Sequence, residues 1–429
     1  MGVFMRNNLG RGTIGIHGGY FPSSGQPRVL PIYQSATYKF DDPDILEDLF
    51  NLKSEGHLYS RISNPTVAAL EEKFSSLEGG VGAVATASGQ SAVLYSILNI
   101  CKAGDHIISV SSLYGGTINL FTVHLKNFGI ETTFVSPDAS EAEILSVARE
   151  NTKVIYGETI GNPGLNVLDF DKFSSVAKKI KVPFIVDNTV ATPYHCNPFE
   201  HGANIVVHST TKYSEGHAQT IGGIVVDGGN FDWTNGKFND LVLPDESYHG
   251  VKYVDEFGKS AYIVKLRATL LRDLGACMSP FNAYLTNLGL ETLHLRMERH
   301  SKNALEIAQW LKTQEKISWV NYPLLEGVES YDLAKKYLKK GASGLLTFGI
   351  NGGVNEAKKF IKNLNLIALA VTLGDSRSCI LHPATTTHGQ LTEEELIASG
   401  VTTDMLRLSV GIEESNDLIE DIKKALKCI

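Results

Sequence analysis

Short apolar runs and helical segments alternate from Gly82 to about Val226. Runs that read as buried strands occupy 83–86, 106–110, 132–135, 154–156, 183–186, 205–208 and 223–226. Between several of them apolar positions recur at helical spacing, as in 90–101 and 170–179. Upstream, Pro65 opens another helix, with Val67, Leu70, Phe74 and Leu77 at helical spacing and Gly79-Gly80 as its stop. This rhythm predicts an α/β fold built on a mostly parallel sheet with helices covering it.

The flanks differ. Up to about Pro65 the chain reads as an extended arm rich in glycine, proline and aromatic residues, with one acidic helical piece near 44–52. Residues 227–274 break the rhythm and read as a long loop or insertion, a kind of segment that tends to be functional. After Ser279-Pro280 a long helical pattern runs to about Lys312, and a smaller α/β unit follows. Within it Thr392-Glu393-Glu394-Glu395 is a capping box opening a helix that Gly400 closes. The expected division is an arm over 1–65, a large domain over 66–275 and a C-terminal domain over 276–429.

Composition narrows the class. A chain of 429 residues with 43% hydrophobic and 20% charged content suits a soluble protein of two domains. A net charge of -8 argues against a nucleic-acid-binding surface, which needs clustered Lys and Arg. The five cysteines are scattered, odd in number and free of any C-x-x-C, which suits free thiols in a reducing compartment. The start, M-G-V-F-M-R-N-N, has no apolar signal region, and no apolar run approaches a membrane span. A cytoplasmic location is expected.

Two motif matches fail on context. Gly10 to Gly15 spell G-x-G-x-x-G, but no strand precedes them, and Gly18, Gly19 and Pro22 follow where a helix should. Gly258-Lys259-Ser260 resembles a phosphate loop whose leading glycine is Tyr253 here. No G-x-S-x-G and no H-E-x-x-H occurs. His382 and His388 lack companions at metal-ligand spacing, so no metal site is expected. His195 and Cys196 read as packing or loop residues.

Two strand ends carry chemistry. The strand at 205–208 turns through Ser209, Thr210 and Thr211 into Lys212, and the strand at 183–186 ends on Asp187-Asn188-Thr189. A lysine and a carboxylate placed so can share the crevice where α/β sheets hold ligands. An amine that bonds an aldehyde and an acid that keeps a pyridine nitrogen protonated are what pyridoxal 5'-phosphate requires. Thr86-Ala87-Ser88-Gly89-Gln90-Ser91 joins a strand to a helix and offers main-chain N–H groups to a phosphate. Ser209 and Thr211 can add hydroxyls, and Tyr59 and Arg61 a phenol and a fork-shaped cation. Tyr114 follows another strand, where it is either a ring stacked on a flat cofactor or a core tyrosine.

Six motifs occur together and in order: Y-S-R-I-S-N-P-T at 59–66, S-G-Q-S-A at 88–92, Y-G-G-T at 114–117, E-T-I-G-N-P at 158–163, D-N-T at 187–189 and H-S-T-T-K-Y at 208–213. In order and spacing the chain resembles the Cys/Met-metabolism pyridoxal-phosphate enzymes over nearly its whole length. The resemblance implies a fold-type I transferase in which Lys212 carries the cofactor, Asp187 binds the pyridine nitrogen and Tyr114 stacks on the ring. It puts Asn162 near the phenolic oxygen, and Ser88, Gly89, Gln90, Thr189, Ser209 and Thr211 among the cofactor ligands. Tyr59 and Arg61 would reach the phosphate from a neighbouring subunit, so the arm contributes to a partner's site in a homotetramer built of two dimers. Arg407, in L-R-L-S-V-G-I-E, would take the substrate α-carboxylate, with Thr372 beside it where the family often has serine.

Within the family, I-H-G-G-Y near the start, G-L-E-T-L-H-L-R-M-E-R-H at 289–300, S-C-I-L-H-P-A-T-T-T-H and the long 227–274 stretch resemble the O-acetylhomoserine sulfhydrylases. Methionine gamma-lyases carry cysteine where this chain has Gly116. The implied reaction is γ-replacement on O-acetyl-L-homoserine by sulfide, or by methanethiol, with cystathionine gamma-synthase or a methionine or cystathionine gamma-lyase as the alternative. A non-catalytic relative is disfavoured by the intact Lys212, Asp187 and Arg407.

Overall fold

The computed structural model describes residues 9–389, 392, 394, 396 and 400–429. Seven strands form one sheet: β1 Gly82–Thr86, β2 His106–Val110, β3 Glu131–Val135, β4 Thr152–Glu158, β5 Phe184–Asp187, β6 Ile205–Ser209 and β7 Gly223–Asp227. Their order is β1-β7-β6-β5-β4-β2-β3. Strands β2 to β6 run parallel, and β7 runs antiparallel to both β6 and β1. Val186, Val206 and Ile224 bury into one apolar core, whereas Ile185, Val207 and Val225 bury into another on the opposite face. Burial on both faces explains why these strands read as unbroken apolar runs.

A second sheet holds β8 Ile317–Asn321, β9 Leu345–Ile350, β10 Ala368–Leu369, β11 Cys379–Leu381 and β12 Met405–Ser409 in the order β10-β11-β12-β9-β8. Its central strands β9, β11 and β12 are buried throughout, and β12 pairs antiparallel with both neighbours. Among the described residues no helix is long and apolar enough to cross a membrane.

Three expectations need correction. The first 65 residues are not an extended arm with a single helix. Arg11–His17 is helical and contains most of the glycine motif at 10–15. It lies against the helices Pro65–Glu78, Pro280–Glu291 and Leu293–Leu311 of its own chain. A Cβ on Gly15 would stand 2.9 Å from the Leu290 carbonyl oxygen, so glycine permits that approach.

Second, 227–274 is not mainly loop. From Tyr253 to Leu274 it is helical in nearly continuous short pieces. Tyr253, Tyr262, Leu266 and Leu271 are buried, and Trp233 stacks on Tyr262 with centroids 5.3 Å apart. The apolar stripe is hidden in sequence because Arg267 also points inward. Its guanidinium donates to Glu71 Oε2 at 2.7 Å and to the carbonyls of Ile62 and Ala83.

Third, the long helix after Pro280 is two helices that meet at Thr292. Arg296 donates to the carbonyls of Gly289 and Tyr213 at 2.6 and 2.7 Å, which ties the junction to the turn after β6. The capping box at 392–395 and the first eight residues lie wholly or partly outside the described residues.

Asn64 fixes the arm to the sheet domain. Its Oδ1 caps the Pro65–Glu78 helix by accepting from Thr66 N at 2.9 Å. Its Nδ2 donates to the Tyr33 carbonyl, the Tyr38 hydroxyl and the Ser60 hydroxyl, all within 3.0 Å. Asn64→Ala removes the cap and leaves a carbonyl unpaired, a combined loss of roughly 2–3 kcal/mol. Urea unfolding at fixed protein concentration checks this, and a change under about 0.5 kcal/mol would refute it.

Candidate active site

The parallel register sets out the site. Strands β4, β5 and β6 end side by side at Glu158, Asp187 and Ser209, and Glu158 pairs in register with Asp187. Ligands of open α/β sheets bind at such carboxyl ends. A cavity of about 250 Å³ lies there. Twelve of the residues picked out from the sequence line it: Ser88, Gly89, Gln90, Tyr114, Asn162, Asp187, Thr189, Ser209, Thr211, Lys212, Thr372 and Arg407. Tyr59 and Arg61 do not. Arg61 lies over the exposed Tyr59 ring at 5.0 Å, so one chain alone leaves this pair outside its own cavity.

One end suits an anion. Ser88 caps the Gly89–Leu98 helix, accepting from Ser91 N at 3.2 Å, and Ser88, Gly89 and Gln90 at the helix start line the cavity. A Cβ on Gly89 would sit 2.6 Å from Ser209 Cβ, so only glycine lets this turn meet β6. Ser209 N donates to Thr189 Oγ1 at 2.8 Å, and Gly222 N donates to Thr211 Oγ1 at 3.0 Å. Ser88, Thr189, Ser209 and Thr211 thereby bring four hydroxyl residues to the one cavity.

The other end is acidic. Asp187 accepts from Thr189 N at 2.8 Å, while burial raises its pKa above the ordinary carboxylate value. Glu158 lies beside it. Burial first, then the Asp187 charge, push Glu158 well up, opposed by N–H bonds from Tyr114 and Asn162. Tyr114 N donates to Glu158 Oε1 at 2.7 Å, leaving its ring 43% exposed at the cavity mouth. A Cβ on Gly116 would fall 2.5 Å from that ring and 2.4 Å from Gln90 Nε2. Any larger residue at 116 therefore moves the tyrosine or the glutamine.

Lys212 and Arg407 supply the cations. Burial lowers the Lys212 pKa, and the Arg407 charge lowers it further. Arg407, on β12, is 4% exposed and donates to Asn162 Oδ1 and to the Thr372 carbonyl, both at 2.9 Å. Its Nε has no hydrogen-bond partner. Thr372 thus meets Arg407 through its main chain, not its hydroxyl.

The sequence reading missed several groups. Glu158 had a signal, since it ends a strand as Asp187 does. Thr387, at the cavity wall, and His388 come from an irregular loop that packs on Gly115, which no pattern foretells. Burial, aided by Arg407, holds His388 at about 4, so it is neutral at pH 7. Cys379 donates its thiol to the Thr372 carbonyl. His382 is bonded to Thr385 and Thr403, and among the described residues no group of three ligating side chains is placed to hold a metal.

The residues present fit pyridoxal phosphate. A half-buried amine, a strand-end carboxylate and a helix start share one cavity. Two buried polar atoms there, Gln90 Oε1 and Arg407 Nε, lack partners.

The Lys212 pKa has a consequence for stability. A folded value below the ordinary 10.5 means the unfolded chain binds more protons in that window, so stability rises with pH there. Below the window the buried charge destabilises the fold in full. Cofactor-free Lys212→Met should therefore melt above the cofactor-free parent at pH 7, with the gap narrowing toward pH 10. Thermal melts across that range check it, and a lower or pH-independent melting point would refute the desolvation argument.

Comparison with known proteins extends the same picture. A family profile described as "Cys/Met metabolism PLP-dependent enzyme" matches residues 12–427. The O-acetyl-L-homoserine sulfhydrylase of Leptospira meyeri is 48% identical, covering 100% of this chain and 99% of its own. The homocysteine synthase of Schizosaccharomyces pombe is 44% identical, covering 97% of each chain. A crystal structure from Campylobacter jejuni, described as an O-acetylhomoserine (thiol)-lyase and holding N'-pyridoxyl-lysine-5'-monophosphate, superposes with a TM-score of 0.95 at 39% identity. It covers 98% of this chain and 100% of that one. The metB structure of Corynebacterium glutamicum gives 0.84 at 33% identity, covering 98% and 99%. With both sheets inside the matched span, the chain belongs to the Cys/Met metabolism PLP-dependent enzymes.

Proposed function

We propose that this protein carries out γ-replacement on O-acetyl-L-homoserine with sulfide. The Cγ–O bond breaks, acetate leaves, and a Cγ–S bond forms to give L-homocysteine; methanethiol in place of sulfide gives methionine. The observation that carries the choice is the cation count. Lys212 and Arg407 are the only cationic side chains among the cavity's described lining residues. With Lys212 committed to the cofactor, one guanidinium remains for one substrate carboxylate. Cysteine as acceptor brings a second carboxylate with no cation to receive it, whereas sulfide brings none. The lysines and arginines of 227–274, unplaced in sequence, do not line the cavity.

Bound pyridoxal 5'-phosphate supplies a sink for the electrons left at the substrate Cα. Lys212, biased toward its neutral form, takes the Cα proton on Nζ. Arg407 binds the α-carboxylate through a charge-assisted fork and so orients that C–H bond. Asp187 holds the pyridine nitrogen in its protonated form, and Tyr114 stacks on the ring. Ser88, Gly89, Gln90, Ser209 and Thr211 bind the phosphate, with Thr189 supporting Asp187 and Ser209. Asn162 serves both the phenolic oxygen and Arg407.

We assign the arm to 1–65, the cofactor domain to 66–275 and the smaller domain to 276–429. Tyr59 and Arg61, outside their own cavity, complete the phosphate site of a neighbouring chain in a homotetramer of two dimers. The working location is the cytoplasm.

Steady-state competition tests the substrate choice. At equal concentrations sulfide should outcompete cysteine at least tenfold, and α-ketobutyrate release from L-methionine should be slower than homocysteine formation. Faster use of cysteine, or faster methionine cleavage, overturns the reaction. Assembly is tested by mixing Lys212→Ala chains with Arg61→Ala chains, each inactive alone. Hybrids should regain partial activity, because some sites then draw both intact residues from different chains. Verified hybrids without recovery would place each site within one chain.

A further inference from the structure

We propose that Glu158 is a positioning residue, whose one carboxylate fixes both the stacking tyrosine and the arginine that takes the substrate carboxylate. The inference rests on reading the cavity as the cofactor and substrate site. Glu158 is the last residue of β4, and its side chain is buried at the cavity wall. Two main-chain N–H groups from different loops converge on it. Tyr114 N, at the start of the loop-borne helix Gly115–Asn119, donates at 2.7 Å. Asn162 N, from the loop that follows β4 itself, donates as well. Asn162 then accepts from Arg407 Nη1 at 2.9 Å through its own Oδ1.

One acid therefore sets the place of the Tyr114 ring and, through Asn162, the place of a guanidinium that belongs to the second sheet. A purely space-filling role does not require an acidic side chain in such a spot. A neutral glutamine has nearly the same size, but half of its head is an N–H donor, which cannot receive an N–H. Either oxygen of a carboxyl group can accept from a loop N–H, whereas only one end of an amide can.

The test is cofactor titration of the full-length, cofactor-free protein, with the visible circular dichroism of the reconstituted enzyme as a second reading. Glu158→Ala should weaken binding of pyridoxal 5'-phosphate at least tenfold and flatten the visible band, while the cofactor-free protein melts as the parent does. Glu158→Gln should fall between the two. It also decides the matter if the alanine variant does not fold. Parental affinity and an unchanged band in the variant that folds would overturn the proposal. So would a drop in cofactor-free melting temperature that accounts for the whole loss. Asp187→Asn measured alongside separates the two levels. If it too leaves affinity and band unchanged, the reading of the cavity fails; if it alone responds, only the role of Glu158 fails.

Discussion

Two cations sharing one desolvated cavity is the constraint from which the rest of the site follows. Arg407 keeps its charge in almost any surroundings, because its intrinsic pKa is so high. Lys212 is the group that yields, and both burial and the nearby guanidinium push it toward the neutral amine. The amine is thereby shifted toward its nucleophilic form without any general base assigned to it. The arrangement has an architectural cost, since Lys212 follows β6 of the first sheet and Arg407 lies on β12 of the second. The two sheets must hold a fixed relation. The bonds from Arg407 to Asn162, and from Arg296 to the Tyr213 carbonyl just after Lys212, are among those that hold it.

The acidic side obeys the opposite logic. Parallel pairing brings Glu158 and Asp187 onto neighbouring strand ends, about 5 Å apart in the hydrogen-bonding direction. Burial raises the proton affinity of both, and the Asp187 charge raises that of Glu158 further. They are made tolerable by different donors. Asp187 draws on Thr189 within its own turn, whereas Glu158 draws on two loops. Local bonding leaves Asp187 available to a ligand, and distributed bonding commits Glu158 to the scaffold.

The sheet was legible in sequence because its inner strands are buried on both faces, and continuous apolar runs admit few other readings. Lys212, Asp187 and the Ser88-Gly89-Gln90 turn were legible for a related reason: each stands just past such a run, where a parallel sheet presents its ligands. Other features had no such signal. The helix at 253–274 hides behind an inward Arg267, whose partners Glu71 and Ala83 are distant in sequence. The Arg11–His17 helix is too short for a periodicity to show, and its glycines look like loop until Leu290 is placed against Gly15. Thr387 and His388 reach the site through irregular chain. Glu158 was visible within a motif, yet its role depends on two N–H groups whose positions only the folded loops define.

The mouth of the cavity is where a single chain is least self-sufficient. Ile221 and Val371 line it with 61% and 71% of their surface exposed, next to the half-exposed ring of Tyr114. Apolar side chains grouped at the rim of a site mark a surface that another surface covers. The chemistry needs that cover, since water admitted to the cavity weakens the field of Arg407 and rehydrates Lys212. A neighbouring chain that brought Tyr59 and Arg61 toward the phosphate end, as proposed above, would close the same opening from outside. Such an assembly would do more than add two ligands. Under that proposal it would also set the dielectric in which the two cations act, and so link the arm of one chain to a lysine of the next.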